Sequence, residues 1–165
     1  MGLDITAYSH LNHLGKHTDD WCESEEHIQA YAYDAFPESF RGIPILGTRV
    51  SGSTFFDGGC YERTEKTEAH GFRAGSYSGY GRWRDGLREA FNPAADPARP
   101  FFELIWFADN EGSIGPDAAR DLLADFREYA DRYAAEFDDD YDRQRYADWT
   151  RAFELAADGG LVYFH

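Results

Sequence analysis

Leu3, Ile5 and Ala7 alternate with Asp4, Thr6 and Tyr8, the period-two pattern of a strand with one buried face. From 9 to 44 the pattern blurs. Trp21, Ile28, Tyr31, Phe36 and Phe40 predict a short helix near 23–32, followed by a loop carrying Pro37, Gly42 and Pro44. Val50, Thr54, Phe55 and Phe56 are strand formers, Asp57-Gly58-Gly59 signals a turn, and 60–67 reads as the return strand of a hairpin. A further strand is predicted over 69–77, after which Tyr80, Trp83, Leu87, Ala90 and Phe91 recur at helical spacing. Pro93, Pro97 and Pro100 enforce a loop, and the apolar run 101–107 is buried in whichever form it takes. Gly115-Pro116-Asp117 starts a helix, with Pro in the first turn and an acid at the positive end. Ala118, Leu122, Phe126, Tyr129 and Tyr133 make that helix amphipathic to about Phe137. Tyr146, Trp149, Phe153 and Ala156 mark another helix, stopped by Gly159-Gly160, and Leu161 to Phe164 is a terminal strand.

These elements define an α+β fold: one globular domain over 1–165, with an antiparallel or mixed sheet packed against three or more helices. The sheet is expected to combine the first strand, the hairpin near 50–67, the strand near 69–77 and the last strand. A strand at each end of the chain makes the C-terminal LVYFH necessary for stability.

Composition agrees with a real core, since 42% of the 165 residues are hydrophobic and 17% aromatic. Acids outnumber bases 31 to 16, a net charge of −15, which disfavours sequence-independent binding to nucleic-acid backbones and anionic membranes. The charge is uneven: residues 69–92 hold four bases and two acids, a basic and aromatic island in an acidic chain. No apolar run approaches a membrane span of about 18–20 residues, and the first residues lack the features of a signal peptide, so a cytoplasmic setting is expected. In that setting Cys22 and Cys60 are expected to be reduced.

Four groups of residues bear on chemistry. The glycine-rich stretch 72–84 opens a helix, and its amides with Arg73, Arg82 or Arg84 could cradle an anion. Gly75, Gly79 and Gly81 nevertheless match neither a P-loop nor a dinucleotide fingerprint. The plainer reading is a turn and a capped helix, with Tyr77, Tyr80 and Trp83 in the core and the arginines on carboxylates. Asp109-Asn110-Glu111-Gly112-Ser113-Ile114 resembles the middle of a calcium loop, but Phe107 and Ala118 stand where its first and last ligands belong. His10, His13 and His17 would share one helix face, yet nothing nearby completes a zinc set, and solvated histidines are the simpler reading. No metal or cofactor is expected, and no nucleophile motif identifies a reaction. Last, Glu136-Phe137-Asp138-Asp139-Asp140-Tyr141-Asp142 is a dense acidic run that could imitate phosphates before a basic groove, extended by Asp121, Asp125, Asp131 and Asp148. Its plain alternative is a solvated interhelical loop with Asp142 at a helix start.

MGLDITAY, GFRAGSYSGYGRWRDGL, PFFELIWFADNEGSIGP and RYADWTRAFELAADGGLVYFH together resemble a family of small proteins encoded by bacteriophages, prophages and bacterial genomes. The resemblance covers the termini and most of 69–165. It implies a phage-associated setting and supplies no catalytic residue. Three expectations follow. The leading one is a non-enzymatic acidic accessory protein that binds and inhibits a host protein, such as a defence or nucleic-acid-processing complex. Its contact residues would be Asp121, Asp125, Asp131, Asp138, Asp139, Asp140 and Asp142. The second is a small-molecule or nucleotide binder, or an enzyme, using Arg73, Ser76, Tyr77, Tyr80, Arg84, Asp109 and Glu111. The third is an oligomeric structural component of the phage, with aromatic side chains as interface anchors.

Overall fold

The computed structural model describes residues 2–15, 27–30, 59–96, 98–107 and 113–165. Strand β1 (Gly2–Tyr8) carries its alternation into structure: Leu3, Ile5 and Ala7 are buried, and Asp4 and Thr6 face outward. It is flanked by β5 (Ala69–Ser76) and β7 (Leu161–Phe164), and β7 pairs in turn with the short β6 (Ser113–Ile114). The result is a four-stranded antiparallel sheet in the order β5-β1-β7-β6. A second sheet holds β2 (Leu11–Gly15), β4 (Gly59–Arg63) and β3 (His27–Ala30), with β4 central.

The two sheets share one ribbon. β1 runs on through Ser9 and His10 into β2, while its partner runs from β4 through 64–68 into β5. Ser9 fastens the junction: its N–H donates to the Glu68 carbonyl, and its Oγ accepts the Glu68 N–H, both at 3.0 Å. Gly160 lies against it so closely that a Cβ there would fall 1.7 Å from the Tyr8 carbonyl oxygen.

Helices α1 (Tyr77–Phe91), α2 (Phe102–Trp106), α3 (Pro116–Glu128), α4 (Ala130–Glu136) and α5 (Asp140–Ala157) supply the rest of the core. Trp149 of α5 is fully buried at its centre. Trp83 stacks on it at 5.6 Å, Tyr80 at 5.8 Å, and Phe72 meets it edge-on at 5.2 Å, geometries that aromatic quadrupoles favour. Across the main sheet, Tyr8, Leu11, Tyr61 and Leu161 form a smaller cluster under the second sheet.

The α+β class and the antiparallel sheet agree with the sequence, but several local expectations are corrected. Residues 27–30 are a strand rather than part of a helix, because pairing with β4 decides what four residues of ambiguous pattern become. Gly59 opens β4 opposite Ala30 instead of ending a turn, and β4 has β2 and β3 on its two sides, so it belongs to the second sheet. The other arm of the expected hairpin, 50–56, lies outside the described residues. The helix expected to reach Phe137 divides at Tyr129, although the N–H bonds Tyr129 to Asp125 and Tyr133 to Tyr129 carry across the break. Cys60, expected to be reduced, is disulfide-bonded and fully buried. The chain's other cysteine, Cys22, is outside the described residues.

Candidate functional site

The acidic residues divide by what the fold does with them. Asp125 cannot form part of a contact surface: it is 6% exposed, and its Oδ2 accepts the N–H of Phe101 at 2.7 Å. That bond holds Phe101 in a left-handed backbone (φ 58°), which brings its ring against Phe91 and Phe126. Asp121 is half-buried. Asp148 is turned to the ribbon, 3.2 Å from His70 Nε2, and also accepts from Gln144. Asp142 is mostly covered and pairs with Arg145 at 3.3 Å; burial raises its carboxyl above the usual range while the guanidinium opposes the rise.

Asp131, Glu136, Asp138, Asp139 and Asp140 remain as an exposed ridge along α4 and the turn into α5. Asp139 caps α5 by accepting the Asp142 N–H at 2.7 Å, and Asp140 pairs with Arg143 one turn on. An exposed pair of that kind adds little to stability and leaves the charge open to a partner. Arg132, the one base in 128–140, is drawn away from the ridge. Its guanidinium lies over the Phe91 ring at 4.7 Å and donates to the Ala90 carbonyl. Six acids therefore share that segment with a single base committed elsewhere.

Within the ridge the list drawn from sequence omitted Glu136, and it missed Tyr141. Tyr141 is 56% exposed, with Arg145 over its ring at 4.4 Å. The spacing of four between them on α5 is the signal that could have found the pair.

The glycine-rich stretch is a turn and a capped helix. Ser76 Oγ accepts the Gly79 N–H at 3.0 Å at the start of α1. Arg73 forms a two-pronged pair with Asp4 at 2.9 and 2.8 Å, which holds the Asp4 carboxyl below its usual range. Tyr80 is in the core and donates to the Phe107 carbonyl at 3.0 Å. Arg84 lies over the Tyr80 ring at 4.8 Å and donates to the Ile105 carbonyl at 3.2 Å. Tyr77, expected in the core, is 41% exposed. Asp109 and Glu111 are outside the described residues. Arg73 and Arg84 thus each bond to another part of the protein, Arg73 at the surface and Arg84 half-buried against Ile105.

The histidines do not share a helix. His10 follows β1 and pairs with Asp158, His13 is on β2 and stacks on Tyr61 at 4.8 Å, and His17 is outside the described residues. No group of three metal-ligating side chains occurs among the described residues. No described helix is long and apolar enough to cross a membrane. Comparison with protein-family models, curated proteins and solved structures finds no match to this chain.

Proposed function

We infer that this protein is a non-enzymatic binding module that docks its acidic α4–α5 ridge on a basic surface of a partner protein. The observation that carries this reading is the exposure of Asp131, Glu136, Asp138, Asp139 and Asp140 on one short segment whose only base is bonded back to the body of the fold. Exposed carboxylates gathered on one helical turn favour a partner of opposite potential and speed its approach. Grooves that bind nucleic-acid phosphates have that potential, and the phage-associated setting implied by the sequence resemblance makes a host nucleic-acid-processing or defence complex the natural target. Occupying such a groove would inhibit the complex by excluding its substrate. The engagement of Arg73 and Arg84 within the fold gives the small-ligand alternative at 73–84 no comparable support.

The reading is tested by neutralising the ridge with Asp131→Asn, Glu136→Gln, Asp138→Asn and Asp140→Asn while leaving the cap Asp139 in place. Binding to the partner is expected to weaken at least about tenfold, or about 1.4 kcal/mol, with unchanged melting temperature. Unchanged affinity in that variant would overturn the reading.

A further inference from the structure

At the junction of the two sheets, His10 adopts a left-handed backbone (φ 47°), which glycine enters freely and most other residues enter at a cost. Its main chain is fixed from both sides. The His10 N–H donates to the Asp158 carbonyl at 2.9 Å, and its own carbonyl accepts from the Thr64 and Thr67 hydroxyls at 2.9 and 3.1 Å. Glycine would satisfy every one of those bonds. What histidine adds is the imidazole, whose Nε2 lies 3.1 Å from an Asp158 carboxylate oxygen. In the neutral ring that contact takes the proton on Nε2 and leaves Nδ1 as an acceptor, the way a carboxylate fixes a histidine for work on its other side.

His10 borders an open surface cleft of about 530 Å³, lined with it by Leu11, Asn12, Thr64, Glu65 and Lys66. Asn12 donates its amide N–H to Glu62 at 2.6 Å, which leaves its carbonyl oxygen as an acceptor. Among its lining side chains the cleft thus offers one ammonium at Lys66, one carboxylate at Glu65, and acceptors at Asn12 and the neutral ring of His10, with the Asp158 and Glu62 carboxylates behind His10 and Asn12. A polyanion or a polycation would meet a like charge there, whereas a molecule with one group of each sign meets an opposite charge at both ends.

We propose that this cleft binds a small zwitterion of the α-amino-acid class, its carboxylate on Lys66 and its ammonium on Glu65 and the Nδ1 of His10, with Asp158 as the positioning residue for the imidazole. The backbone cost at His10 is then retained for the side chain it presents.

The test is an amide chemical-shift titration of the full chain with individual free amino acids, with acetate and methylammonium as the two half-ligands. The wild type should show saturable shifts confined to 9–12, 64–67 and 158 for at least one amino acid in the millimolar range, and acetate or methylammonium alone should bind at least about tenfold more weakly. His10→Gly should keep or raise the melting temperature, because glycine accepts the left-handed backbone, and should lose at least about tenfold in affinity. Lys66→Met and His10→Asn should lose binding in the same way, the asparagine variant guarding against any folding defect in the glycine variant. Absence of a saturable response to any amino acid, equal binding of acetate alone, or wild-type affinity in His10→Gly would each overturn the proposal.

Discussion

Tyr133 is buried with its hydroxyl accepting the Trp83 indole N–H at 2.9 Å, and burial pushes its phenol up to about 12 from an ordinary 10.0. Burial raises Tyr146 as well, whose hydroxyl donates to the Phe126 carbonyl at 2.6 Å. The unfolded chain releases these protons near pH 10, while the folded chain keeps them. The stabilisation is therefore complete below pH 10 and is lost as pH rises through about 12. Urea unfolding followed across that window should show stability falling, and Tyr133→Phe should flatten the fall; a flat wild-type profile would contradict the assignment. Asp125→Ala leaves the buried Phe101 N–H without its carboxylate and should cost about 1–3 kcal/mol in the same measurement. Gly160→Ala places a methyl on the Tyr8 carbonyl and should cost more than about 4 kcal/mol, read as a collapse of the thermal transition. Near-wild-type melting of that variant would show that the junction yields. None of these single-residue roles was legible in the sequence, because each depends on an atom brought from a distant part of the chain. Asp125 has the appearance of a surface acid on an amphipathic helix, and only the turn at Phe101 draws it inside.

Helices α1, α3 and α5 were legible because their apolar spacing, the Ser76 cap, Pro116 and the glycines at 159–160 all agree with local physics. β1, β5 and β7 were legible for the same reason. The second sheet was not: β3 exists by pairing with β4 across a long stretch of chain, and nothing in four residues announces a partner. The break at Tyr129 also escaped a periodicity that continues through it. β7 has β1 on one side and β6 on the other, with Leu161, Val162 and Phe164 buried. Each such side chain contributes about 1.5–3 kcal/mol, so deleting 161–165 removes an amount comparable with the stability of a whole domain, about 5–15 kcal/mol. Loss of the cooperative melting transition is the expected result, and an unchanged transition would mean that the strand is dispensable.

Taken whole, the molecule joins a large aromatic core to a smaller cluster beneath a sheet whose central strand carries a disulfide at Cys60. Reduction should lower stability by about 2–4 kcal/mol, read as a lower melting temperature in dithiothreitol, with the effect absent in Cys60→Ala. The net charge of −15 was plain from the sequence; which carboxylates are free to use it was not. Asp125 is consumed inside, Asp142 and Asp148 face partners of their own, and Asp131, Glu136, Asp138, Asp139 and Asp140 stay exposed on α4 and the following turn. The central claim is that this ridge is the contact surface. Its most direct test is an affinity pull-down from bacterial lysate at low and high salt, comparing wild type with the variant neutralised at Asp131, Glu136, Asp138 and Asp140. The account predicts a defined protein complex held by the wild type at low salt, released at high salt as screening shortens the reach of the charges, and not held by the variant. The same proteins retained by both forms, or retention insensitive to salt, would contradict it.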